Sequence, residues 1–305
     1  MQTWVPVVES GFAGAVIEHL APELVNGIVL GAFYAIIAIG LSLIMNLTGT
    51  INLAHGSFMT LAGYLAFALT SRGGNFWVAL GASAVMTMIV GVAVERLLIS
   101  RLYSRIPLYS LLLTFGLSLI FEESFRLIWG PSSVPFAAPA NLQGSTQLGN
   151  VFLPTYRLVI MAALVIVMVL LFLFLYRTRI GLRLRGAVQD PEMMAALGTN
   201  TQILYMTNFA VGIALAAVAG VFAAGLLGLS PTMGNSLLMP AFITVVIGGM
   251  GSLTGSIVGG LLIGLAISIT TLYLPAASEI VMYVLMALVL LVRPRGLFGE
   301  EGIFG

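Results

Sequence analysis

Long runs of apolar residues limit the fold of this chain more than any other feature. A helix that crosses a lipid bilayer needs about 20 consecutive, mostly apolar residues. Such runs follow one another and predict spans over residues 24–45, 51–70, 76–95, 106–128, 157–176, 203–229, 237–250, 256–273 and 277–292. The predicted fold class is therefore all-α, a polytopic transmembrane helix bundle of about nine spans, within a range of about eight to ten.

The residue types that are scarce or missing exclude several classes of protein. The chain is 60% hydrophobic and only 8% charged, whereas soluble domains carry about 25% charged residues. It has no cysteine, which excludes thiolate metal sites, and no lysine, which a nucleotide-binding P-loop requires. We therefore predict no catalytic residue, no metal site and no cofactor of its own. The net charge of +1 gives no indication of nucleic-acid binding.

Two of the predicted spans are irregular. The run at 51–70 carries polar residues and several glycines, and the run at 237–250 is too short to cross a bilayer as one regular helix. Irregular backbone at membrane depth is tolerated where it is buried in protein or lines a cavity. Broken helices are therefore expected in both places.

Polar residues at the first of these irregular spans are candidates for a translocation path. Thr48, Asn52 and His55 follow the i, i+4, i+7 spacing of one helical face, and Ser57 completes the candidate set. A polar face inside a span lies against a cavity or a neighbouring helix. Two interpretations stay open: these residues line the route of a solute, or they hold a broken helix together by hydrogen bonds. No second histidine or carboxylate is near in sequence, so a metal site is not indicated.

The distribution of arginine predicts how the chain is oriented. Cytoplasmic loops of membrane proteins carry an excess of basic residues. Nine of the twelve basic residues fall on one predicted side and three on the other. The nine are Arg96, Arg101, Arg105, Arg177, Arg179, Arg183, Arg185, Arg293 and Arg295, and the three are Arg72, Arg126 and Arg157. We assign the nine to the cytoplasm, which places the N-terminus outside and the C-terminus inside.

This orientation divides the chain into three parts. Residues 1–23 form an external segment with a possible surface helix, 24–292 form the transmembrane domain, and 293–305 form a cytoplasmic tail. Within the domain, 177–202 is a cytoplasmic loop and 130–156 an external loop. The stretch TQLGNVFLP in the external loop favours a short hairpin. That loop is either an ordinary surface loop or a docking surface for an external partner.

The loop at 177–202 contains signals for a short helix. Asp190 is a good N-cap, Pro191 is tolerated at the first helical position, and an acidic residue suits the positive end of the helix. Gly198 is typical of the position just after a helix end. The predicted helix offers an apolar ridge formed by Met193, Met194 and Leu197. The ridge either fits a groove in another protein or packs under the chain's own bundle.

Several stretches together resemble one known family. The stretch RGAVQDPEMMAALGTN, from Arg185 to Asn200, is similar to the cytoplasmic coupling segment of ABC-importer permeases of the branched-chain amino-acid type. Residues 40–67 and 246–265 resemble the N-terminal and C-terminal signatures of that family, and the RPRGLFG tail also matches. The resemblance covers nearly the whole chain from about residue 24. Gly186 replaces the usual alanine and Thr199 the usual isoleucine, which puts the seating of the coupling helix in doubt.

The resemblance implies a multi-part importer in the bacterial inner membrane. An external binding protein would deliver a small solute, two permease subunits would form the path, and two cytoplasmic ATPase subunits would bind ATP. The second permease is more often a related chain than a copy. The implied ATPase-coupling residues are Arg185, Asp190, Glu192, Met193, Met194, Leu197, Gly198 and Asn200.

The solute and one alternative function remain open. The family moves branched-chain and other amino acids, amides, urea and aromatic acids, and the resemblance does not choose among them. The alternative is a secondary transporter driven by ions or protons. Such transporters usually need carboxylates near mid-membrane, and the inner spans have almost none.

Overall fold

The computed structural model describes residues 12–103, 105–136, 139, 142–148 and 151–299, and helices dominate them. The α-helices of the described part are α1 (Phe12–Thr48), α2 (His55–Thr70), α3 (Phe76–Leu97), α4 (Pro107–Trp129), α5 (Thr155–Arg177), α6 (Arg179–Gln189), α7 (Pro191–Ala196), α8 (Thr201–Leu227), α9 (Met233–Gly248), α10 (Leu253–Tyr273) and α11 (Val281–Val292). Short 3₁₀ turns lie at Ile99–Leu102 and Pro275–Ala277. The predicted all-α bundle is confirmed.

The nine predicted spans each contain one helix, and α6 and α7 lie in the polar insert. Among the described residues, α1, α3, α5, α8 and α10 are long and apolar enough to cross a membrane, whereas α9 and α11 are shorter apolar helices. With 16 residues, α2 is about 24 Å long, less than the bilayer core of about 30 Å. The count of about nine spans therefore depends on including these three short helices and α4, which has 23 residues but is not among the five helices that are long and apolar enough.

The centre of the bundle is formed by α1 and α8. Both helices are apolar around their whole circumference and bury most of their length, as expected of a helix with neighbours on every side. Antiparallel to α1 runs α10, because Gly27 faces Leu265 while Gly31 faces Leu261. The peripheral helices α3 and α5 bury only one stripe of residues each.

The first helix differs from its predicted bounds. A span beginning at 24 after a separate surface helix is wrong, because residues 12–48 form one helix that continues through Pro22. Here the Ser268 hydroxyl of α10 donates to the backbone oxygen of Glu23 at 2.6 Å. The segment around Pro22 is thereby held against α10.

The irregular backbone predicted near residue 51 takes the form of a loop. Gly49, at a φ of 65°, ends α1, and α2 begins only at His55. Between them, the Asn52 side chain accepts a hydrogen bond from the Ala54 amide at 3.1 Å, and the Leu53 amide donates to Thr114 at 3.1 Å. Such side-chain bonds offer the backbone an alternative to the helix.

The helix near residue 237 is short, as predicted, but the predicted break is wrong, because Met233–Gly248 form one continuous helix. The helix here, α9, has only 16 residues and contains Pro240 in its interior. It ends at Gly249, which has a φ of 99°. The C-terminal tail then folds back onto this end, where Leu297 donates its amide to the Ile247 carbonyl at 2.8 Å.

The external loop contains the predicted hairpin. Strand β1 (Ser145–Leu148) pairs antiparallel with β2 (Val151–Pro154), with Ser145 opposite Pro154. An isolated bridge between Val134 and Leu229 ties the start of this loop to the turn between α8 and α9. The loop is therefore folded on itself by the hairpin and tied to the rest of the chain by the bridge.

Substituting Gly264 with alanine is expected to destabilise the contact between α1 and α10. A methyl group at this position would overlap the backbone of Gly27 and Gly31, which cannot move as a flexible side chain would. Overpacking of this kind costs about 1–3 kcal/mol of folding free energy. The measurement is the thermal unfolding midpoint of the purified chain. Gly81→Ala is the matched control, because nothing lies within 4 Å of the added carbon; equal midpoints for both variants would contradict the described packing.

Candidate functional site

The first turns of two short helices meet inside the bundle. Gly56 of α2 and Gly234 of α9 are in backbone contact, and the Gly234 amide donates to the Thr60 hydroxyl at 2.9 Å. The start of α2 also lies beside Gly40 of α1, which packs on Gly212 of α8. Gly212 is eleven residues, or about 16 Å, from the first residue of α8 (212 − 201). The helix α2 therefore begins well inside the bundle.

A cavity of about 290 Å³ lies between the 51–53 loop, α4 and α9. Its polar lining residues are Asn52 and Asn235. Its apolar lining residues are Leu41, Ile51, Leu53, Leu111, Leu238, Met239 and Phe242. Asn52 is 2% exposed, and its Nδ2 has no hydrogen-bond partner among the described residues. The cavity thus combines an apolar wall with two asparagines, of which Asn52 has a buried amide nitrogen without a partner among the described residues.

A stripe of polar residues on α4 runs beside this cavity. Ser110, Thr114, Ser118 and Glu122 follow one another at intervals of four and share one helical face. Ser118 accepts a hydrogen bond from Ser57 at 3.1 Å and donates to Asn235 Oδ1 at 3.3 Å.

The end of the same stripe near the C-terminus of α4 contains an ion pair. Asn235 Nδ2 donates to Glu122 at 3.0 Å, and Glu122 pairs with Arg126, as their spacing predicts. The sequence interpretation missed Thr114, Ser118 and Asn235 as site residues. The four-residue spacing on α4 is the signal that could have found the first two.

The candidate path residues do not share one helical face. Thr48 is the last residue of α1, Asn52 lies in the loop and His55 is the first residue of α2, so the argument from spacing was wrong. The structure places Asn52 on the cavity and Ser57 beside it through Ser118. The Thr48 hydroxyl instead donates a hydrogen bond to the Ile44 carbonyl at 2.8 Å. His55 is fully buried beside Gly40 and does not line the cavity.

The polar insert forms two helices at one end of the bundle. The first, α6, was not predicted; it buries Gly181 and Leu184 against its surroundings. The second, α7, begins and ends as the sequence indicates. Asp190 accepts a hydrogen bond from the Met193 amide at 2.8 Å, and Gly198 has a φ of 79° just after the helix end.

The predicted ridge of three apolar residues is divided between two faces. Met193 is 56% and Leu197 72% exposed, and Glu192 beside them is exposed as well. Met194 instead turns toward α6, where its sulfur lies 2.9 Å from the place that a Cβ of Gly186 would occupy. Met194 therefore packs on the chain's own bundle and does not belong to the outward ridge.

The other residues implied for coupling hold the insert in place. Arg185 donates to the Leu175 carbonyl at 3.2 Å, and its guanidinium lies 4.4 Å from the centre of the Tyr176 ring. These contacts fasten α6 to α5. Asn200 caps α8 by accepting from the Ile203 amide at 3.3 Å.

The arginine-rich segments cluster at the end of the bundle that carries α7. Arg96, near the end of α3, contacts Met206, near the start of α8. The C-terminal tail lies against the end of α9, close to the start of α10. Arg157, one of the three arginines assigned to the other side, donates a hydrogen bond to Asn26 near the beginning of the span in α1.

Among the described residues, no group of three His, Cys, Asp or Glu side chains could hold a metal ion.

Comparisons with known proteins agree on one family. The family model described as "Branched-chain amino acid transport system / permease component" matches residues 23–291. The permease protein LivH of a high-affinity branched-chain amino acid transport system in Escherichia coli (strain K12) is 31% identical, with 93% of this chain and 97% of LivH covered.

A second relative and one solved structure extend the comparison. The corresponding permease protein BraD of Pseudomonas aeruginosa is also 31% identical, with 94% of this chain and 98% of BraD covered. A solved structure, PsaBC from Streptococcus pneumoniae in complex with Fab, has a TM-score of 0.48 and 15% identity, with 90% of both chains covered.

Proposed function

The chain belongs to the family of branched-chain amino acid permease components, and we propose that it passes small aliphatic amino acids from an external binding protein into the cytoplasm. It is a multi-pass membrane subunit of an ABC importer and translocates its solute without catalysing a reaction. The choice of solute follows the relatives, which are permeases for branched-chain amino acids. The structural observation that carries the proposal is the exposed helix α7.

Coupling to ATP hydrolysis is assigned to α7. A six-residue helix with two exposed apolar residues contributes little to the stability of its own bundle. Met193 and Leu197 are the proposed anchors in a groove of an ATPase subunit, with Glu192 at their rim. Asp190 and Gly198 set the ends of this helix, while Arg185, Met194 and Asn200 hold it in place. ATP would be bound by the partner subunits, because the chain has no lysine for a P-loop.

The complete importer would contain two ATPase subunits, a second permease that is a related chain, and an external binding protein. The anchored loop at 130–156 is the proposed docking surface for the binding protein. Ion-coupled transport is not favoured, because no carboxylate lines the described cavity.

Cysteine labelling is expected to place the hairpin outside and α6 inside the cell. The chain has no cysteine of its own, so single cysteines at Ser145 and Gln189, both exposed, report without background. This orientation is expected because arginines are in excess at the end of the bundle that carries α7, and cytoplasmic loops carry an excess of basic residues. A membrane-impermeant thiol reagent added to intact cells should label Ser145→Cys and spare Gln189→Cys. The reverse pattern would overturn the proposed orientation.

The experiment that tests the proposed function is reconstitution of the full complex in lipid vesicles. Leucine-loaded binding protein is expected to stimulate ATP hydrolysis, and leucine uptake is expected to require ATP. An imposed proton or sodium gradient without ATP is the control for the alternative function. Uptake driven by that gradient alone would contradict the proposal.

A further inference from the structure

We infer that the cavity between the 51–53 loop, α4 and α9 is a subsite that holds an aliphatic amino acid during its passage, with the side chain against the apolar wall and the carboxylate at Asn52. The inference rests on the proposed function and makes it more specific. It assigns solute contact to Leu111, Asn235 and Met239, none of which the sequence had indicated.

The free donor of Asn52 is the first reason. Asn52 Oδ1 is occupied by the Ala54 amide at 3.1 Å, which fixes the orientation of the side chain. Asn52 lines the cavity, and its Nδ2 is buried and has no partner among the described residues. A buried donor without a partner costs free energy, and a solute carboxylate would supply the missing acceptor.

The surrounding helices favour a negative group at this end of the cavity. Asn52 lies three residues before α2, and Asn235 lies in the first turn of α9. The first turns of these two helices meet at Gly56 and Gly234, and the N-terminal end of a helix carries partial positive charge. No arginine lines the cavity, so a carboxylate would be held without the strong ion pair that would slow its release.

The wall suits an aliphatic side chain. Leucine, isoleucine, methionine and phenylalanine side chains form the rest of the lining, with Leu111 from α4 facing Leu238 and Phe242 from α9. Asn235 stays in a fixed orientation beside them, since Ser118 and Glu122 engage both ends of its amide. Few polar groups in an apolar pocket are typical of sites that select a small solute by shape.

The cavity has one open end and one closed end. Met239 at the mouth is 53% exposed, whereas Leu41 at the back is 1% exposed. Polar residues within a span usually face a cavity or a neighbouring protein rather than lipid. The cavity therefore opens at the surface of the subunit near Met239 and is closed at Leu41.

The test narrows the cavity and measures selectivity in the reconstituted complex. Leu111→Phe is expected to lower uptake of leucine relative to valine by about tenfold, the discrimination that one methylene group gives in an apolar pocket. Leu119→Phe is the matched control, because Leu119 lies on the exposed face of the same helix, at 52% exposure. Structural damage would reduce the uptake of both solutes alike.

A second measurement tests whether Asn52 Nδ2 donates a hydrogen bond to the solute carboxylate. Asn52→Asp keeps the acceptor for the Ala54 amide but removes the donor and places a carboxyl group opposite the solute carboxylate. Leucine uptake per folded complex is expected to fall about 10- to 100-fold, the loss of one hydrogen bond to a charged group. Asn52→Asp uptake within twofold of wild type would overturn the role of Asn52.

Protection of a cysteine from thiol modification tests the subsite independently if Leu111→Phe and Asn52→Asp do not assemble. Leucine is expected to slow modification of Met239→Cys by a water-soluble thiol reagent and to leave Leu119→Cys unaffected. An unchanged leucine-to-valine ratio in Leu111→Phe, or no protection of Met239→Cys, would overturn the subsite while wild-type uptake still supports the proposed function. Absence of ATP-driven leucine uptake by the wild-type complex would overturn both.

Discussion

Replacing Leu197 with aspartate is expected to abolish both ATPase association and solute uptake while the folded permease remains in the membrane. Leu197, the residue directly after α7, is 72% exposed, so the change removes little packing within the chain. Burial of an apolar anchor in a partner contributes about 1.5–3 kcal/mol to binding, and burial of an unpaired carboxylate there costs more. The combined loss predicts at least about a hundredfold weaker association, since 1.4 kcal/mol corresponds to about tenfold.

The measurements are co-purification of the ATPase with the permease and leucine uptake, each divided by the amount of permease in the membrane. Met193→Asp on the same face should behave alike. Met194→Asp is the informative contrast, because this neighbour packs on Gly186 and its substitution should lower the thermal stability of the permease itself. If Leu197→Asp retained the ATPase and wild-type uptake, α7 would not be the docking element.

The ends of α7 could be predicted from the sequence, whereas the division of its two methionines could not. Asp190, Pro191 and Gly198 act within one turn of where they stand, and local signals of this kind need no knowledge of the rest of the fold. Which methionine faces outward depends on Gly186, which lies in α6. Glycine stands at 186 in place of the usual alanine, and Met194 occupies the space that a methyl group there would need.

The membrane helices could be predicted because bilayer thickness fixes their length. The loop at 49–54 could not, since the spacing of Thr48, Asn52 and His55 also fits a helix. The deciding contact is the hydrogen bond from Leu53 to Thr114, which is 61 residues away in sequence. The cavity likewise depends on how the 51–53 loop, α4 and α9 are placed around it, and no single stretch of sequence contains it.

Substituting Gly234 with alanine is expected to cause the largest loss of stability of any single methyl addition proposed here. The added carbon would overlap the Gly56 carbonyl and lie 2.7 Å from the Thr60 hydroxyl. Thr60 cannot turn away freely, because it accepts the Gly234 amide. Overpacking typically costs about 1–3 kcal/mol and occasionally more. The obstacle is backbone, so the expected cost is at the upper end of that range.

The measurement is the yield of monodisperse permease in detergent and its thermal unfolding midpoint. Gly116→Ala in α4 is the control, because nothing lies within 4 Å of its added carbon. We expect the control to match wild type and Gly234→Ala to lose most of the folded protein. Asn235, which lines the proposed subsite, is the next residue after Gly234 in α9. If Gly234→Ala unfolded at the wild-type temperature, α2 and α9 would not meet here, and the proposed carboxylate position would lose its support.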